Sequence, residues 1–192
     1  SPMHASIVGL VFSTRPRDAA YVPIGHRGLG PLSCVALDAA LAAFRSVFEN
    51  PAIPKSGHDL KADAMLLARH GVDLSGLDID TMLASYLLNA SATRAEPQLE
   101  ELALEHISYK ALREEDVCGR GAKAVAMFDV PIEAAVDFAC ERADLVGQLV
   151  VERLGPEEGV ELTHRAPARR RCPWAAAISS SGTSRDLTRR RK

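Results

Sequence analysis

Two stretches of the sequence decide the fold: residues 58–67, HDLKADAMLL, and residues 80–88, DTMLASYLL. The apolar spacing of the first stretch predicts a helix over 60–70, preceded by a short strand over 53–57. The second stretch begins at the end of a predicted strand over 77–81 and continues as a helix. A strand that passes directly into a helix, twice in succession, is typical of an α/β domain.

Asp63 is the candidate functional residue of the first stretch. Leu60, Ala64 and Leu67 form the apolar stripe of the predicted helix, and Asp63 lies beside them on the inward side. A carboxylate there is costly unless it is paired, hydrogen-bonded or bound to a metal. An Asp in the first helical turn, following Asp59 as N-cap, is also favoured by the free N–H groups and the helix dipole. The spacing by itself leaves both interpretations open.

The remaining segments complete a mixed α/β pattern. Two β-branched runs predict a hairpin with strands over 6–13 and 19–24. Three further apolar periodicities predict helices over 33–49, 98–107 and 132–154. Asp80 is predicted to be the N-cap of the helix that follows it. Three histidines have no metal-ligand spacing and are expected on the surface or in loops: His26, His58 and His70.

Composition is that of a soluble globular protein, with 47% hydrophobic and 25% charged residues in 192. No apolar run approaches the roughly 18 residues needed to span a membrane. The four cysteines are scattered without a C-x-x-C pair, which favours a reducing cytoplasm over a disulfide framework or a zinc site.

Charge divides the chain into two parts. Residues 165–192 hold nine Arg and Lys against one acid, a net charge of +8, whereas residues 1–164 hold 14 basic and 24 acidic groups, a net charge of −10. The apolar periodicity ends near Gly155. We therefore expect one domain over 1–155 and a basic tail over 156–192 that is disordered or non-native. The alternative is a basic arm that binds phosphates.

The segment KSGHDLKADAMLL resembles the second exonuclease motif of family A DNA polymerases. In that motif an Asn, an aromatic residue and a metal-binding Asp follow in order, and here the positions hold Asp59, Ala62 and Asp63. Five further segments are similar to the same family in the same order: AAYVPIGHRGLG at 19–30, DIDTMLASYLLN at 78–89, LEELALEHI at 99–107, GRGAK at 119–123 and FACERADL at 138–145. The resemblance covers residues 1–154.

This resemblance implies a ribonuclease H-like fold, a mixed sheet flanked by helices, of the DEDD-type 3′–5′ exonucleases. It implies the proofreading domain of a bacterial DNA polymerase I, which removes mismatched 3′ nucleotides from single-stranded DNA ends beside the polymerase domain of the same chain. The family uses two divalent ions, Mg²⁺ or Mn²⁺, held by carboxylates. The carboxylates come from an Asp-x-Glu pair on the first strand, from the second-motif Asp and from a third-motif Asp, four residues after a Tyr that positions water.

This sequence departs from the family at each of the three places. The first strand and its Asp-x-Glu pair would precede Ser1 and are missing, and Asp63 is the only ligand position that keeps its acid. Phe138 stands at the Tyr position and Arg142 at the third-motif Asp position. We expect a chain that neither holds the metals stably nor cuts DNA. Arg142 is hypothesised to pair with Asp63 in place of a metal.

Other interpretations remain open at this stage. By resemblance, Asp59 and Phe138 are candidate nucleic-acid contacts. The altered motifs fit a naturally inactive module that supports the polymerase, or a truncated and frame-shifted gene. A ribonuclease D-like RNA exonuclease and a non-catalytic α/β interaction module are the alternative functions.

Asp144 cannot replace the lost acid, because it is predicted on the polar face of its helix with Asp137, Glu141 and Gln148.

Overall fold

The computed structural model describes residues 3–27, 34–88 and 97–154, with side chains to residue 151. These residues contain four strands and six α-helices: β1 (Gly9–Arg15), β2 (Asp18–Pro23), α1 (Leu37–Phe48), β3 (Lys55–Gly57), α2 (Leu60–Ala68), β4 (Leu77–Asp80), α3 (Thr81–Leu88), α4 (Leu99–Ile107), α5 (Glu114–Cys118) and α6 (Ile132–Leu154). No helix among them is long and apolar enough to cross a membrane.

The hairpin predicted near the start of the chain is present. β1 and β2 pair antiparallel, with Val11 opposite Tyr21, and Arg17 makes the turn with a φ of 65°. Both strands lie a few residues from their predicted bounds, because the turn occupies only two residues.

The helix α1 packs on this hairpin through aromatic side chains. The ring of Phe12 on β1 lies 4.7 Å from the ring of Phe44 and 5.8 Å from that of Phe48, measured between centroids. Leu67 of α2 and Val72 after it complete the same core cluster. Burial of these large apolar side chains joins the hairpin to the first two helices.

β3 and β4 form a parallel pair joined through α2, and Gly57 lies opposite Asp80. The strand–helix–strand–helix order predicted from the two opening stretches is therefore confirmed. Among the described residues, β1–β2 and β3–β4 are separate two-stranded sheets.

The long helix α6 connects the parts of the domain. It packs against β1, β2, β3 and α4, and its buried Leu145 and Leu149 form a core with Leu99 and Leu102 of α4. Its bounds are those that the sequence predicts. The five-residue helix α5 was not predicted, because it is too short to show an apolar period; reciprocal hydrogen bonds between Arg113 and Asp116 cap it.

The prediction for Asp144 was wrong. Asp144 is only 3% exposed, and its carboxylate accepts hydrogen bonds from the Arg17 backbone N–H, at 2.6 Å, and from Nε2 of Gln148, at 2.9 Å. Glu141 also points into the protein, where it accepts from the Leu112 N–H at 3.1 Å. The helix lies between α4 and the hairpin, so Asp144 and in part Glu141 are covered by protein, whereas Asp137 on the same stripe is exposed.

Candidate functional site

The candidate site lies where the parallel strands β3 and β4 end. Gly57 and Asp80 face each other in the register, so the residues that follow them, His58, Asp59 and Thr81, meet at one edge. In open α/β sheets, ligands bind in the crevice outside the carboxyl ends of the strands. The two stretches that decide the fold thus converge on one place.

Asp80 holds the first turns of two helices together. Its Oδ1 accepts from the N–H groups of Met82, at 2.9 Å, and Leu83, at 3.3 Å, in α3. The same carboxylate accepts from the N–H groups of Asp59, at 3.1 Å, and Leu60, at 2.7 Å, where α2 begins. The predicted capping of α3 is confirmed, whereas the contact with α2 spans 20 residues of sequence and has no local pattern.

Asp59 is the N-cap of α2, as predicted. Its Oδ1 accepts from the Ala62 N–H at 3.3 Å, and its backbone has a φ of 64°, in the left-handed region that Asp tolerates better than most residues. The carboxylate of Asp59 therefore already accepts a hydrogen bond from its own helix.

Asp63 lies in the first turn of α2 and is exposed, not directed into the interior as the apolar stripe predicted. Its carboxyl group still loses hydration against the surrounding protein. This loss, with the negative charges of Asp59 and Asp80, raises the pKa of Asp63 to about 6. Because the side chain is exposed, solvent screens these effects in part, and the upward direction is the firm result.

His58 lies between the two helices as a half-buried side chain. Its Nδ1 lies 2.9 Å from Oγ1 of Thr81, and the Thr81 hydroxyl donates to the Gly57 carbonyl at 3.1 Å. Burial lowers the pKa of His58, and the positive charge of Arg142 lowers it further, against the smaller opposing effects of Asp80 and Glu100. Arg142 of α6 is thus part of the electrostatic environment of this site.

Arg142 pairs with Glu100 of α4, and the hypothesis of a pair with Asp63 was wrong. Its Nη1 lies 3.2 Å from Oε2 of Glu100, and the two side chains are 29% and 13% exposed. Its guanidinium also lies over the Phe138 ring, 5.3 Å from the centroid. The charges that shift the pKa of Asp63 are those of Asp59 and Asp80.

His26 lies in a loop, as expected, but it is buried, with 8% exposure. Its Nδ1 lies 3.2 Å from the Val130 carbonyl, which can only accept, so Nδ1 donates. In the neutral ring, Nε2 then accepts from the Tyr21 hydroxyl at 2.7 Å. Burial, followed by the nearby Cys34 and Cys140, raises the pKa of Tyr21 to about 12. This network connects β2 to the segment before α6.

Sequence comparison decides the family. The model of the family "DNA polymerase I, ribonuclease H-like domain" matches residues 33–149, more than half of the chain. The chain belongs to this family. The match includes both stretches at the candidate site and the α6 positions 138 and 142.

Individual relatives agree with the family of the DNA polymerase I ribonuclease H-like domain. The chain is 36% identical over 147 residues to DNA polymerase I of Pseudomonas aeruginosa, covering 76% of this chain and 16% of that protein. It is 33% identical over 142 residues to DNA polymerase I of Chloroflexus aurantiacus, covering 74% and 14%. With the Rhizobium leguminosarum DNA polymerase I, 36% identity extends over 143 residues, 68% of this chain and 13% of the relative. The chain spans about one sixth or less of the length of these proteins.

The ribonuclease H-like class and the DNA polymerase I lineage, predicted from the motifs, are thereby confirmed. Ribonuclease H-like exonucleases usually use divalent metal ions, which carboxylates hold. Among the described residues, no group of three or more His, Cys, Asp or Glu side chains is arranged to hold a metal ion. Both oxygens of Asp80 accept backbone N–H groups, and Arg142 is a cation paired with Glu100. These side chains do not fit a two-metal site.

Proposed function

We propose that this chain is the 3′–5′ exonuclease domain of a cytoplasmic bacterial DNA polymerase I, with an altered site that does not hydrolyse DNA. In this role the domain supports the polymerase domain of its parent chain. The observation that carries the proposal is the ion pair of Arg142 with Glu100, because the resemblance of FACERADL to the third exonuclease motif sets Arg142 at a metal-ligand position.

The loss of activity follows from the charges. Two-metal phosphodiester hydrolysis requires several carboxylates around two cations, which activate a water and stabilise the leaving oxygen. A guanidinium at one ligand position repels a divalent ion and offers no lone pair. Phe138 has no hydroxyl with which to orient a water, and of the second- and third-motif ligand positions only Asp63 keeps a carboxylate for Mg²⁺ or Mn²⁺.

Binding of DNA does not require these metals. The proposed ligand is the single-stranded 3′ end that the family binds, with Phe138 and Asp59 as candidate contacts. The half-buried Phe138 ring lies next to Arg142, and an aromatic face beside a guanidinium suits stacking with a base. The Asp59 carboxylate caps α2. Because an ionised carboxylate only accepts hydrogen bonds, its contact would be with a donor group of the nucleotide.

A digestion assay tests the loss of activity. A single-stranded DNA with a labelled 5′ end is incubated with the full chain and Mg²⁺ or Mn²⁺, beside an Asp63→Asn variant. We expect the same background with both proteins. Shortening of the DNA that requires Asp63 would contradict the proposal.

A rebuilt variant tests the family assignment of the site. It carries an added first strand with the Asp-x-Glu pair and the substitutions Phe138→Tyr and Arg142→Asp. Recovery of metal-dependent 3′–5′ digestion is expected from a degenerate nuclease and not from an unrelated α/β interaction module. Single-stranded RNA serves as the comparison substrate, and a preference for RNA would instead favour a ribonuclease D-like activity.

A further inference from the structure

The helix α3 exposes an apolar face that the described part of the chain leaves uncovered. We define the α3 outer face as Leu83, Tyr86 and Leu87, which are 53%, 38% and 83% exposed. The sequence of α3, TMLASYLL, contains no charged residue. Contiguous exposed apolar side chains on a folded domain mark interaction surfaces.

The opposite side of α3 faces the domain, although Leu88 at the end of the helix is still 65% exposed. Ala84 and Leu88 line an apolar groove with Leu102 of α4 and with Leu149 and Val150 of α6. The C-terminal end of α6 therefore lies beside α3.

We propose that the basic segment 165–192 of this chain docks on the α3 outer face, with Trp174 and Ile178 as its apolar anchors. Nineteen residues, 155–173, separate α6 from Trp174. A flexible segment of this length has a root-mean-square span of about 25 Å, whereas α3 is about 12 Å long. The anchors can thus reach the face without any regular structure in the segment.

Charge favours the same occupant. The segment 165–192 has a net charge of +8, and the rest of the chain has a net charge of −10. On the neighbouring helix α4, Glu105 is exposed, whereas Glu100 is paired with Arg142. Complementary charge brings the segment to the domain, while burial of an aromatic anchor supplies contact area. This inference does not depend on the proposed function.

Trp174 is the only tryptophan in the chain, so its fluorescence reports the docking directly. In the full chain we expect emission shifted to shorter wavelength and an acrylamide quenching constant several-fold lower than in a peptide of residues 155–192. Raising the ionic strength to about 1 M, where the Debye length is about 3 Å, should move both values towards those of the peptide. Equal quenching in the chain and the peptide would overturn the proposal.

Surface variants locate the contact. The double variant Leu83→Ser/Leu87→Ser should give Trp174 the emission and quenching of the free peptide, whereas Val125→Ser, at another exposed apolar position, should leave them unchanged. Circular dichroism verifies that both variants fold. A protected Trp174 that is insensitive to the double variant would place the segment elsewhere and reject the α3 face. Protection that disappears on dilution would show that a second copy covers the face, and this result also rejects the proposal.

Discussion

Nη1 of Arg142 lies 3.2 Å from Oε2 of Glu100, so the positive charge of Arg142 is neutralised by a carboxylate on another helix. The pair joins α4 to α6 beside the core formed by Leu99, Leu102 and Leu145. Arg142 is thereby part of the packing of the domain, and its removal should lower the stability of the fold.

Arg142→Ala is expected to lower the free energy of unfolding by about 1 to 2 kcal/mol, between the values for exposed and buried ion pairs. Urea denaturation measures the change. Arg45→Ala is the matched control, because Arg45 pairs with Glu49 on the surface of α1 with side chains 47% and 35% exposed. The control should change stability by less than about 0.5 kcal/mol.

A double-mutant cycle identifies the partner of Arg142. The changes in the free energy of unfolding caused by Arg142→Ala and Glu100→Ala are expected to be coupled. Those caused by Arg142→Ala and Asp63→Ala should be additive. Coupling to Asp63 with none to Glu100 would contradict the observed ion pair.

Asp80→Ala should destabilise the protein by about 2 kcal/mol, because one carboxylate caps two helices and each cap contributes about 1 kcal/mol. Thermal or urea unfolding provides the measurement. Asp78→Ala, at an exposed position on β4, is the control and should have little effect. Equal losses in the two variants would show that the hydrogen bonds of Asp80 do not stabilise the helix starts.

Asp63 should make the fold less stable as the pH rises. Its pKa is about 6 in the folded protein against 3.8 as the ordinary value, so between these values the folded state holds a proton that the unfolded state has released. The free energy of unfolding of the parent, relative to that of Asp63→Asn, should therefore fall as the pH rises from about 4 to about 7.

A ¹³C titration of the Asp63 carboxyl group provides the direct measurement of this pKa. A midpoint at or below the ordinary value would show that solvent at this exposed site cancels the effect of Asp59 and Asp80. In that case the free energy of unfolding of the parent, relative to that of Asp63→Asn, would not fall between pH about 4 and about 7.

Tyr21→Phe should cost about 1 to 3 kcal/mol, because it leaves Nε2 of the buried His26 without its donor. Tyr86→Phe, on the exposed α3 outer face, is the control and should change stability by less than about 0.5 kcal/mol. In the parent, stability should fall as the pH rises above about 10, since the unfolded Tyr ionises there while the folded one keeps its proton until about 12. Equal effects of the two substitutions would show that the buried network contributes nothing.

The sequence by itself determined the elements and the lineage. The periodicities of 60–70 and 132–154 identified α2 and α6, and the local positions of Asp59 and Asp80 identified both helix caps, because caps and amphipathic stripes depend on neighbours within a few residues. Collinear motifs identified the family, and the departures from those motifs at positions 62, 138 and 142 stay predictions from the resemblance.

Only the tertiary structure decided which side chains meet. Arg142 pairs with Glu100, 42 residues away, Asp80 reaches back to α2, and Asp144 is buried under the hairpin turn. The sequence led to a hypothesised pair of Arg142 with Asp63 and put Asp144 on the polar face of its helix. A helical stripe gives directions around one axis, but it does not give the identity of the element on each side. Those identities follow from how α4, α6 and the hairpin pack, and long-range packing leaves no local pattern in the sequence.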